Sequence, residues 1–369
     1  MNTEKRVFAK FYGPELFLEH GRNLYAILRA FSHSNYKISL FGNLSDKSLG
    51  LLGPMTFTLP GLALVETPPD DTGDMLYLFD KSDGSLAKRS WRKKLEVRFD
   101  LFSPYWFSNP IIMPYPMYPP LYGVNEPQME SWRAGERRMR IFFAGDTNHY
   151  GRVWVRYPKP KLPRQKVIDT VKRRLADHVV AVRGAGQLVS LLESGYTNKC
   201  VLNATSDVRI DPADWLPTMA RADFFLSPPG IVMPMCHNII EAMAVGTIPI
   251  TSYPEWLDPP LTHGENCIVF GDEDDLAAKI TQVLELGQGE IGRMRQNVLD
   301  YYRRHMLAED FVRRVEASPD RKVPILMYTE HNMARNHKRL GRHSILMQGT
   351  ARPRPKHWYQ RILAAYLDR

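Results

Sequence analysis

Two hydrophobic periods alternate along this chain, short apolar runs of strand type and longer stretches with apolar residues three or four apart. The run from Arg6 through Val7, Phe8 and Ala9 reads as a strand closed by Tyr12, Gly13 and Pro14. A helix is expected over 18–31, where Leu24, Ile27, Leu28 and Phe31 share one face. Strands follow at 36–41 and 75–79, with a Gly- and Pro-broken stretch between them that matches neither period. Residues 88–98 read as a basic helix, with Trp91 and Leu95 four apart, leading to a strand at 111–113. The proline-rich run 114–127 marks a boundary.

A second alternating series begins with a strand at 139–144, stopped by Gly145 and Asp146. Strands are expected at 178–183 and 200–203, then a helix at 214–221 with Asp211 or Asp214 as N-cap. Next come a strand at 223–227, a loop at 228–235 and a helix at 237–245 ended by Gly246 as its left-handed cap. A strand at 248–251 and a helix at 274–286 opened by acids continue the series. Residues 287–318 read as helical, and from 319 onward the chain reads as basic and irregular. Strands alternating with helices imply an α/β protein with mostly parallel sheets.

Length agrees with a division in two: 369 residues is a soft prior of two domains at about 150 residues each. At 44% hydrophobic and 24% charged the composition is globular, which excludes overall disorder. Cys200, Cys236 and Cys267 are too few and too far apart for a disulfide framework or a zinc pattern, and a reducing compartment fits them. The start carries charges and no long apolar run, so neither a signal peptide nor a spanning helix is expected. The expected location is the cytoplasm or the inner face of a membrane. The net charge of +9 is concentrated: residues 331–369 hold nine Lys or Arg against Asp368 alone. The rest of the chain is nearly neutral, which argues against a nucleic-acid partner.

The candidate chemistry starts at the loop 228–235. A strand, a glycine-containing loop and a helix N-terminus together form an anion site above the carboxyl ends of parallel strands. Gly230 would let a ligand approach the backbone. Glu241, one turn into the helix, could accept the two hydroxyls of a ribose, or could equally be a surface glutamate.

The sequence from Phe224 through Ser227, Pro228, Pro229 and Gly230, then Asn238 through Glu241 to Ile250, resembles the donor-binding half of GT-B glycosyltransferases, and most closely the exostosin type. His263, Gly264, Glu265, Asn266 and Cys267, with Phe270 and Leu276, resemble a further region common to GT-B enzymes. The likeness is specific over 223–280. It implies two Rossmann-like domains facing across a cleft: 1–128 on the acceptor side, 129–320 for the donor, and a basic segment 321–369 that crosses back or meets a membrane. It implies transfer from a nucleotide-sugar, with a UDP-sugar expected, to a glycan or lipid-linked glycan in surface polysaccharide synthesis. Glu241 would hold the nucleotide ribose. Many retaining relatives carry a second glutamate eight positions earlier; Met233 stands there, which leans the reading toward inversion.

A metal-independent site must neutralise the leaving diphosphate with fixed donors. The candidates are backbone groups at Gly145 and Gly230, with Ser227, Asn148, Asn238 and either Arg152 or Arg183; each arginine could equally be a solvated surface charge. Inversion also needs a base for the acceptor hydroxyl, and the resemblance puts it in the first domain. Glu15, Glu19, His20 and Asp80 are the candidates, although a lone histidine is more often structural. No metal or bound cofactor is expected, since neither Asp70 with Asp71 nor Asp272 through Asp275 forms the acidic strand-end motif of metal-dependent transferases. Two other functions compete: a nucleotide-sugar 2-epimerase of the same fold, and a non-catalytic nucleotide-sugar or nucleic-acid binding protein. Residues 356–369 could form an interfacial helix beside the basic patch 88–98, which makes an anionic membrane surface a further candidate partner.

Overall fold

The apolar runs become parallel strands in two separate sheets. In this computed structural model, residues 4–42, 50–106, 108–147 and 161–348 are described. The chain divides into two units, Met1–Pro119 with His305–Arg369, and Pro120–Arg304.

The first unit is built on β1 (Arg6–Lys10), β2 (Lys37–Phe41), β3 (Leu62–Val65), β4 (Met75–Phe79), β5 (Lys93–Arg98), β6 (Ile111–Ile112) and a late strand, Lys322–Leu326. The sheet runs β3-β2-β1-β4-β5, then the late strand, then β6. Its pairings are all parallel. Every residue of β4 is buried, as expected where helices cover both faces of a parallel sheet. Helix Arg22–His33 packs against helix Ala308–Ala317, with Phe31 edge-on to Phe311 at 6.3 Å. Phe8, Tyr77 and Trp91 stack in a core cluster with Met75, Phe79 and Leu86.

Three sequence readings change here. Residues 88–98 are not a basic helix: Lys93–Arg98 is β5, with Leu95 and Val97 buried at strand period. Its lysines turn inward. Lys93 Nζ donates to the carbonyls of Val315, Glu316 and Ser318, closing the C-terminus of helix Ala308–Ala317. Lys94 Nζ donates to the carbonyl of Ala87. The chain beyond 319 is not irregular either, since Lys322–Leu326 inserts between β5 and β6. Finally, helix 18–31 starts late, at Arg22, because Glu19, His20 and Gly21 have φ of 55°, 59° and 78°. Left-handed backbone cannot belong to a right-handed helix.

The second unit carries β7 (Met139–Gly145), β8 (Val179–Val182), β9 (Thr197–Ala204), β10 (Ala222–Ser227), β11 (Ile248–Thr251) and β12 (Ile268–Val269). Their order is β12-β11-β10-β7-β9-β8, again with parallel pairings. The helix after β10 is His237–Ala244. Gly246, at φ 73°, donates its N–H to Met243, and Thr247 donates to Ala242. That pair of bonds is the expected left-handed cap. The two Rossmann-like units match the GT-B fold class. The late strand is β13 in chain order. Residues 356–369, the proposed interfacial helix, lie outside the described residues. No helix among the described residues is long and apolar enough to cross a membrane.

Candidate functional site

The strand order of the second unit decides where a ligand belongs. From β7 the chain runs out to β8 and back through β9, then crosses to β10 on the other side of β7. The β7–β10 pair is therefore the topological switch point, and open α/β sheets bind ligands outside the strand carboxyl ends there. Those ends are Gly145 and Ser227, followed by the loop into helix His237–Ala244.

A tight recess lies at this point, with no room for a water molecule, lined by Phe143, Arg164, Phe225, Pro228, Cys236 and Asn238 together with Ser227. Arg164 begins helix Arg164–Arg174 and is buried. Its Nε donates to Pro229 O at 3.2 Å, Nη1 donates to Asp146 O at 3.1 Å, and Nη2 lies 3.8 Å from Cys236 Sγ. A guanidinium thus ties the end of β7 to the loop after β10. Asn238 Nδ2 reaches Ala144 O at 3.5 Å and joins the next helix to the same strand end.

The sequence-expected residues sort into three groups. Gly145, Ser227, Gly230, Asn238 and Glu241 belong to the elements that meet at this switch point. Gly230 is accounted for by its own loop rather than by a ligand. Its N–H donates to Pro234 O, and a Cβ there would stand 3.0 Å from Met233 O. Ser227 Oγ is buried against Tyr253 OH at 2.7 Å. Arg183 is not brought to the recess: it is exposed at the end of β8, with β9 between that strand and β7. At the usual strand spacing that is about 10 Å from β7. Asn148 and Arg152 lie outside the described residues.

Glu241 is not a surface glutamate. Its side chain is fully buried, Oε2 accepts from Trp215 Nε1 at 2.6 Å, and Oε1 meets His237 Nδ1 at 2.8 Å. The His263 region folds as a local turn, with His263 Nδ1 accepting from Val269 N and Gly264 at φ 77°.

In the first unit, β1 and β4 form the corresponding switch point. Asp80, just past β4, accepts from Tyr12 N at 2.8 Å and Gly13 N at 2.5 Å, so it fixes the loop after β1. A Cβ on Gly13 would collide with Asp80 and with Glu15 Oε2, which is 2.9 Å from that point. His20 is exposed. Glu19 is mostly buried, and its Oε1 accepts from Glu330 N at 2.8 Å, while no hydrogen bond reaches Oε2. Burial holds its carboxyl above the ordinary range.

Residues 164–317 match the family model described as glycosyl transferase-like. The match supports a transferase. The matched segment takes in Arg164, the switch-point loop, His237 and Glu241. No curated protein matches the chain. Among solved structures, Alr3699/HepE of Anabaena, in complex with UDP, is 14% identical with a TM-score of 0.40, over 85% of this chain and 98% of that one. A glycosyltransferase from Rickettsia africae ESF-5 is 8% identical with a TM-score of 0.44, over 85% and 97%. The O-GlcNAc transferase of Thermobaculum terrenum is 12% identical with a TM-score of 0.41, over 85% and 66%. Likenesses this distant say nothing about substrate.

Proposed function

We propose that this protein moves a sugar from a nucleotide-sugar, a UDP-sugar in the first instance, to a hydroxyl of a glycan or lipid-linked glycan at a membrane surface. The observation that carries the reading is Arg164, a buried guanidinium fixed at the switch point of a glycosyl transferase-like domain. A planar cation held there suits the two phosphates of a donor, and its charge counts most as the diphosphate leaves.

The reaction class is an inverting displacement, in keeping with Met233 eight positions before Glu241. The acceptor oxygen attacks the anomeric carbon, the bond to the diphosphate oxygen breaks, and a general base takes the hydroxyl proton. Neither step calls for a metal, because the arginine and the backbone amides supply the charge stabilisation.

Arg164→Ala tests the reading. A hydrogen bond to a charged group contributes about 1.5–3 kcal/mol, so UDP affinity should fall roughly 10- to 150-fold. Arg164→Lys should recover only part of it, because a lysine lacks the two-pronged fork. Calorimetric titration of both variants with UDP checks this. Unchanged affinity in Arg164→Ala would remove the arginine from the donor site.

A further inference from the structure

The sheet of the second unit ends at β8, which among the described residues pairs with β9 alone. An edge strand presents a row of unpaired N–H and C=O groups, and folds usually blunt it with a charge, a proline or a bulge. β8 has none of the three. It reads Val, Val, Ala, Val, and its register with β9 is unbroken from end to end. Val179, Val180 and Ala181 are part-exposed. The helix that follows, Ala185–Glu193, packs on β8 and adds apolar surface there. Leu188 is its one buried residue, Leu191 and Leu192 are part-exposed, and Val189 is half exposed.

The charges at the two ends of β8 say what fits this edge. Asp177 stands just before the strand and Arg183 just after it, both exposed. Neither enters an ion pair among the described residues. The backbone N–H of Arg183 donates to Gln187 Oε1 at 2.9 Å, which fixes the chain where it leaves the strand. An uncharged edge with an acid at its start and a base at its end is complementary to itself when a copy runs antiparallel. That is the requirement of an isologous two-fold contact, in which one patch meets its own copy.

We propose that β8 is the contact between two copies of this chain, paired antiparallel about a two-fold axis at Val180, so that two six-stranded sheets continue as one. In that register Val179 faces Ala181 of the partner subunit, and Asp177 comes level with Arg183 of the partner subunit. Both charged residues lie three positions from Val180, about 10 Å along a strand, so the ion pair forms at each end of the contact. Sliding the strands by one residue would set Arg183 against His178 or Ala176 instead, so charge selects the register. The axis leaves both Ala185–Glu193 helices on the same face of the joined sheet, where their apolar residues add to the contact. The proposal does not depend on the nucleotide-sugar reading, because β9 separates this edge from β7 and the recess.

Sedimentation equilibrium of the full chain tests it by exchange of charge. The wild-type chain should be dimeric at about 100 µM, a concentration at which a contact of only modest affinity is populated. Arg183→Asp and Asp177→Arg each bring like charges together at both ends of the contact. Each should raise the dimer dissociation constant about tenfold. The double variant restores opposite charges and should return the constant to within about threefold of wild type. All three substitutions are at exposed positions, and circular dichroism of each variant checks that the fold is kept. A wild-type chain that stays monomeric at this concentration overturns the proposal. So does a dimer that the single variants leave unchanged, or a double variant no tighter than either single one.

Discussion

Glu19→Gln should lower the single-turnover transfer rate by about 10²- to 10⁴-fold, the usual contribution of a positioned general base, while donor affinity stays within twofold. Four candidates compete for this role, and their environments separate them. Asp80 spends both oxygens on the amides of Tyr12 and Gly13. Glu19 stands in left-handed backbone at φ 55°, followed by His20 at 59°. Two such non-glycine residues in a row store strain that ordinary loops avoid and functional sites retain. One of its oxygens receives Glu330 N, which a glutamine can still accept, so the substitution removes the base without unseating the loop. The pH profile gives an independent check. Burial raises the Glu19 carboxyl above its ordinary 4.5. A base acts only when deprotonated, so kcat/KM should decline on the acid side with a midpoint above 4.5, and the decline should vanish in Glu19→Gln. Full activity in the glutamine variant would move the base to Glu15 or His20.

Asp223→Ala should destabilise the second unit by about 3–5 kcal/mol, because breaking a buried ion pair strands its partners. Asp223 lies at the amino end of β10, away from the recess. Its carboxylate pairs with Arg295, accepts from Tyr196 OH at 2.5 Å and stands 3.9 Å from Arg140 Nη1. Arg137 is buried nearby, where burial and Arg295 work against its charge and Asp223 works for it. Alanine leaves these guanidiniums facing one another with no counter-charge. Asp223→Asn should cost less, since it keeps the shape and an acceptor. Denaturant titration measures both, and nucleotide affinity of the folded fraction should remain at the wild-type value. A loss below 1 kcal/mol in Asp223→Ala would mean that the cations are hydrated after all.

The strand–loop–helix of the second unit was legible because its punctuation is local. Phe224, Phe225 and Leu226 form an apolar run within a strand that is buried throughout, and Gly246 stops the helix by a backbone conformation that few other residues adopt. What escaped the sequence is non-local. Lys322–Leu326 pairs with β5 and β6 from over two hundred residues away, and nothing in a short basic stretch announces that insertion. Trp91 and Leu95, four apart, imitate a helix, while Leu95 and Val97, two apart, are what the sheet buries. Arg164 was overlooked because its helix also carries Lys166, Lys172, Arg173 and Arg174. Only its place in the first turn, on the side of the strand carboxyl ends, distinguishes it. Glu241 stands out by its place one turn into the helix and by resemblance, but its partner Trp215, 26 residues away, does not.

The central claim is that the glycosyl transferase-like domain holds a nucleotide-sugar at the β7–β10 switch point. Thermal unfolding of the full chain with UDP-, GDP-, CMP- and dTDP-sugars tests it most directly, since a ligand that binds only the folded state raises the midpoint by mass action. The account predicts a concentration-dependent rise with one nucleotide class, UDP-sugars first, and little or no rise in Arg164→Ala. A midpoint unmoved by all four classes, or moved equally in Arg164→Ala, would contradict it.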